Sequence, residues 1–127
     1  MNLEKVVFGT FIVLAMTLNF GFFIGEIDNP EHHHVLELFA ALVVSLIATV
    51  LKFGDRSQMG AVLLGTSIVA DIQLIAAVIV WTLAVHVWET GMTTEVTVSI
   101  VSLAGGALMA NVVSVVLLVI ETAQQQR

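Results

Sequence analysis

Cysteine is absent from this sequence, which excludes a disulfide framework, thiol chemistry and any Cys-based metal site. Charge is nearly as scarce: 11% of the 127 residues are Asp, Glu, Lys or Arg, against about 25% in soluble domains. Hydrophobic residues make up 58% and mean hydropathy is +1.04, so the chain reads as an integral membrane protein surrounded by lipid bilayer. Ten acidic residues stand against four basic ones, a formal net charge of −6. That sign repels nucleic acid and anionic headgroups and argues against both as partners. Chemical signatures are missing too. There is no nucleophile–base pair, phosphate loop or metal-hydrolase spacing, so neither an enzyme nor a bound cofactor or metal is expected. A TVGYG-like potassium filter, an Arg-rich voltage sensor and a lysine inside a span that could hold retinal are also lacking.

What is present is four apolar runs, each near the roughly 20 residues that a spanning helix needs. They cover about 6–25, 30–53, 59–87 and 96–120, joined by short connections and followed only by the tail "ETAQQQR". The first run is longer than a signal-peptide core and lacks a small-residue cleavage site, so it is expected to be a retained helix. The whole is one all-α membrane domain of four transmembrane helices, without evident internal repetition.

The cations give an orientation, because loops kept in the cytoplasm carry Lys and Arg. Lys5, Lys52, Arg56 and Arg127 all fall on one side, so both termini and the "GDRSQ" turn are expected in the cytoplasm. The opposite face carries Glu26, Asp28, Glu31, Glu37, Glu89 and Glu95 with no fixed cation, a charge that concentrates cations at the surface. Phe22, Phe23 and Trp88 suit an aromatic belt there.

Four of the acids and three of the four histidines crowd into "EIDNPEHHHVLELF", residues 26–39. Asn29 as N-cap and Pro30 as first helical residue start the second span, putting Glu31 where the helix dipole favours an anion. Glu31 with His34 and His33 with Glu37 have helical spacing, but consecutive histidines on a helix point apart and make a poor metal cage. Three readings follow for Glu26, Asp28, Glu31, His32, His33, His34, Glu89 and Glu95: a metal site, a pH sensor, or a solvated acidic rim. The favoured one is an acidic, titratable vestibule.

Within the spans the sharpest residue is Asp71, near the middle of the third, since an ionisable group at that depth costs at least about 2.5 kcal/mol on insertion scales. Ser67, Asp71 and Thr82 share one arc that Glu89 extends, while Gln73 points the other way. Asp71 is then either protonated or hydrogen-bonded to Gln73, Asn111 or a serine, or it lines a wet cavity and coordinates a cation or carries a proton. On the second span Glu37, Ala41, Ser45, Ala48 and Lys52 form a stripe, readable as a water-lined path or as close packing. Thr17, Gly21 and Gly25 on the first span and Ser102, Gly106, Ala110 and Ser114 on the fourth let backbones approach, within the bundle or between copies. Asn19 and Asn111 are expected to bond between helices.

The segments "DNPEHH", "ELFAA", "VLKFGDR" and "ADIQLIAA" resemble a family of small uncharacterised bacterial inner-membrane proteins, along nearly the whole chain. The resemblance implies that location and attaches no activity. Three functions remain open. The first is a homo-oligomeric cation channel, with monovalent or divalent cations passing the second- and third-span stripes and a ring of Asp71 or Glu37 carboxylates. The second is a small proton- or sodium-coupled transporter working through Asp71. The third is a non-conducting accessory subunit of a larger membrane complex.

Overall fold

The structure is a computed structural model that describes residues 3–24, 35–55 and 57–125. Four α-helices account for nearly all of them: α1 (Leu3–Phe23), α2 (Val35–Lys52), α3 (Gln58–Thr82) and α4 (Thr94–Gln125). All four are long and apolar enough to cross a membrane, which makes this a multi-pass membrane protein by length and composition. The helices run up and down in a ring: α1 packs on α2 and α4, and α3 on the same two. Lys5 near the start of α1 pairs with Glu121 near the end of α4, closing that ring at one end of the bundle.

Local chemistry sets the helix ends. Ser57 is extended and its Oγ accepts the Gly60 N–H at 3.0 Å, capping α3. Its own hydroxyl donates to Asp55 at 2.7 Å and its backbone N–H donates to the same oxygen at 2.9 Å. The Asp55 carboxylate packs so close to Gly60 that a Cβ there would lie 2.2 Å from it. At its other end α3 widens into a π-helical turn, Leu83–Val87, where the Trp88 N–H reaches back five residues to the Leu83 carbonyl at 2.7 Å. Glu89 then takes a left-handed φ of 57° and Gly91 one of 74°, reversing the chain into α4. Glu89 therefore leaves the helix and does not extend the Ser67–Asp71–Thr82 arc.

Large apolar side chains face outward along the helices; Leu36 is 82% exposed and Ile72 61%. Such a surface suits lipid and would aggregate in water. Inside are two apolar clusters, one built around Phe22, Leu38, Leu74 and Ile100, the other around Phe8, Ile12, Ala48 and Leu63. Phe22 is fully buried in the first cluster, so it is a core residue and not part of an interfacial belt. Trp88 is exposed, and Phe23 is half-buried against Gly105.

Every helix also contributes buried polar side chains, among them Asn19 on α1, Ser45 and Thr49 on α2, Ser67 and Asp71 on α3, and Asn111 and Ser114 on α4.

Candidate functional site: the buried aspartate and its hydroxyls

Asp71 is 6% exposed. It faces α2, where Ser45 Oγ donates to Oδ1 at 2.7 Å and Thr49 Oγ1 lies 2.5 Å from Oδ2. Ser45 and Thr49 are one turn apart on one face of α2, so a single helix face grips both carboxylate oxygens. Thr49 Oγ1 also lies 3.0 Å from the Ser45 carbonyl oxygen, back along its own helix. Of the partners expected for Asp71, a serine is present, while Gln73 and Asn111 bond to it in neither case.

Helix periodicity explains why. Gln73 sits on the far side of α3, where its amide packs against Gly106 of α4; a Cβ on Gly106 would come within 2.4 Å of Oε1. Asn19 and Asn111 are fully buried, yet among the described residues neither amide finds a hydrogen-bond partner. The expectation that they bond between helices is not met. The Ser67 hydroxyl, one turn along α3 from Asp71, is likewise buried and unpartnered among the described residues. The bond that does tie α3 to α4 is Thr66 Oγ1 to Ser114 Oγ at 2.5 Å.

The α2 stripe faces inward: Ala41, Ser45, Ala48 and Lys52 are all buried. Glu37 is half-buried and its carboxylate lies against Gly21, where a Cβ would come within 2.1 Å of Oε2. At the opposite end Lys52 is 1% exposed, with its ammonium 4.4 Å from the centre of the Phe8 ring and 3.4 Å from Asp55. Glu37 and Lys52 thus stand at the two ends of the α2 face that carries the hydroxyls. Asp55, in the turn, is held below its ordinary pKa of 3.8, first by the Ser57 hydroxyl, then by the Ser57 N–H, with Lys52 contributing less.

The other expected residues scatter. Thr82 is half-buried near the far end of α3 and spends its hydroxyl on the Val78 carbonyl at 2.9 Å, away from Asp71. Thr17 is exposed and does the same with Val13 at 2.9 Å. Ser102 is exposed, Ala110 half-buried and Ser114 buried, so the α4 small-residue row winds from surface to interior. Gly21, Gly106 and Ser114 all make their contacts inside the one chain. Glu95 and Glu89 are exposed. Gly25, Glu26, Asp28, Asn29, Pro30, Glu31, His32, His33 and His34 lie outside the described residues, as do Arg56 and Arg127. No group of three or more His, Asp or Glu that could hold a metal occurs among the described residues.

Sequence reasoning passed over Thr49 and His86. Thr49 differs from the chosen stripe residue Ala48 by one position, and its signal was a second hydroxyl four residues after Ser45. His86 lies in the π-helical turn, its ring 5.1 Å from that of Trp81, which in turn stacks edge-on with Phe39 of α2 at 5.4 Å.

The chain belongs to the family of unknown function DUF6394, whose model matches residues 32–122. No curated protein and no solved structure matches it. The matched region contains α2, α3, the π-helical turn and nearly all of α4, and so the whole of the Ser45–Thr49–Asp71 cluster.

Proposed function

We propose that this protein moves a small monovalent cation, a proton or Na⁺, across a bacterial inner membrane, with Asp71 as the group that takes the ion up and releases it. The observation that carries this reading is an aspartate buried midway along a spanning helix and held by two hydroxyls of the neighbouring helix in the same chain. An acid at such depth is a functional site by default, because a leucine there would insert at far less cost. The within-chain position favours a carrier over a pore. A ring of carboxylates needs side chains that meet at an axis between subunits, whereas Asp71 faces the interior of its own bundle. Of the small residues that suggested a homo-oligomer, Gly21, Gly106 and Ser114 are occupied inside the chain, while Thr17 and Ser102 are exposed.

The remaining charges fit a route along α2. Glu37 at one end attracts cations, and Lys52 at the other repels them until it moves. Lys5 and Lys52 stand at the end of the bundle opposite Glu37, and we take that end as the cytoplasmic one and the Glu37 end as the outward one.

The test is flux from proteoliposomes. Wild-type protein should give saturable, slow, cation-selective flux indifferent to chloride, and Asp71→Asn should lower it by an order of magnitude or more. Unitary current steps would replace the carrier with a channel. Absence of any flux from well-folded protein would leave the accessory-subunit reading in its place.

A further inference from the structure

The Ser45–Thr49–Asp71 cluster also bears on which ion occupies it, a question that rests on the carrier reading only for what happens afterwards. Thr49 Oγ1 has two oxygen neighbours, the Ser45 carbonyl at 3.0 Å and Asp71 Oδ2 at 2.5 Å. A threonine hydroxyl has one hydrogen. If that hydrogen goes to the Ser45 carbonyl, the usual back-bond of a helical threonine, the contact with Oδ2 needs a hydrogen from the other side. The carboxyl group supplies it when Asp71 is an acid. Ser45 O–H then donates to Asp71 Oδ1, Asp71 Oδ2–H donates to Thr49 Oγ1, and Thr49 O–H donates to the Ser45 carbonyl. Three hydrogens meet three acceptors in a closed ring. An ionised Asp71 would instead accept the Thr49 hydrogen at Oδ2, leaving the contact between Thr49 and the Ser45 carbonyl without one.

The charges around the ring agree. On α3 nothing basic lies between Gln58 and His86, and on α4 nothing titratable lies between Glu95 and Glu121. On α1 nothing titratable follows Lys5. On α2 Lys52 is one turn beyond Thr49, but its ammonium is placed over Phe8 and beside Asp55. A metal cation could neutralise Asp71 only inside a shell of converging oxygens. Here the two hydroxyls engage different carboxylate oxygens, Ser45 on Oδ1 and Thr49 on Oδ2.

We infer that the ion held at Asp71 is a proton, and that Ser45 and Thr49 form the hydrogen-bond ring that holds it.

Infrared difference spectroscopy on the full-length protein in lipid at neutral pH tests this directly. The expected result is a protonated-carboxylic C=O band in wild type that is missing in Asp71→Asn and unmoved by replacing K⁺ with saturating Na⁺. Thr49→Val and Ser45→Ala should each shift the band in frequency, and they serve as the test should Asp71→Asn fail to fold. A wild-type spectrum without such a band, a band that Na⁺ removes, or a band indifferent to both hydroxyl variants would overturn the inference. Vesicles that pass no cation while the band behaves as expected would end the transport reading alone. Sodium-dependent flux with no band would end the proton alone.

Discussion

Two aspartates bracket the first half of α3 and are stabilised in opposite ways. Asp71 is gripped by hydroxyls at membrane depth, while Asp55 sits in a turn among donors that favour its charge: the Ser57 hydroxyl and N–H, then Lys52. Because those donors hold the folded Asp55 below its ordinary 3.8, the unfolded chain takes up the proton first as the medium acidifies. The stability Asp55 contributes is present above 3.8 and disappears as pH falls through the lower folded value. Thermal denaturation in one detergent, from mildly to strongly acidic buffer, should show the wild-type midpoint falling at the acid end. Asp55→Asn should start lower and lose less over that interval; parallel curves would contradict the assignment. Sequence marked Asp71 at once, since a lone acid in an apolar run is conspicuous. It did not mark Thr49, because threonine is unremarkable in a membrane helix and periodicity alone does not say which neighbour a hydroxyl meets.

At the scale of helices, close approach is decided by which glycine meets what. A Cβ on Gly105 would come 2.7 Å from the Phe23 ring, a stiff neighbour wedged between α1 and α4. Gly65 on α3 meets nothing within 4 Å. Gly105→Ala should therefore destabilise by about 1–3 kcal/mol through overpacking, and Gly65→Ala should be neutral or stabilising by up to about 1 kcal/mol as helix entropy is recovered. Chemical unfolding in mixed micelles compares the two; equal effects would mean that Phe23 yields freely. The four helices were legible because long apolar runs leave little choice in a membrane. Their bounds shifted by a few residues, with α4 extending to Gln125 because its polar last turns continue the backbone ladder beyond the apolar run. The π-helical turn was not legible, since one extra residue per turn leaves no mark in composition.

For the molecule as a whole, the buried polar groups raise a question of satisfaction. The Asn19 and Asn111 amides, both fully buried, leave four side-chain atoms without partners among the described residues. An unmet buried donor or acceptor costs about 1–3 kcal/mol, and replacing both by apolar groups of similar shape is neutral or better. The double variant Asn19→Leu/Asn111→Leu should thus unfold at the same temperature as wild type or higher, with the single variants in between. A clear loss in the double variant would mean that the amides find partners in the membrane-embedded protein. Hydropathy reported that the interior would be mostly apolar; it could not report which buried polar side chains would meet, because that depends on how the helices slide and tilt against one another.

The ion pair between Lys5 and Glu121 has a consequence for how the protein is made. It joins α1, made earliest of the four helices, with α4, made after the other three, and Phe22 and Phe23 acquire their α4 neighbours only after α4 exists. During synthesis α1 must wait in the bilayer with one flank open, while α2 and α3 assemble beside it. α4 therefore acts as a keystone, and the bundle is committed to its closed form only once α4 has been made.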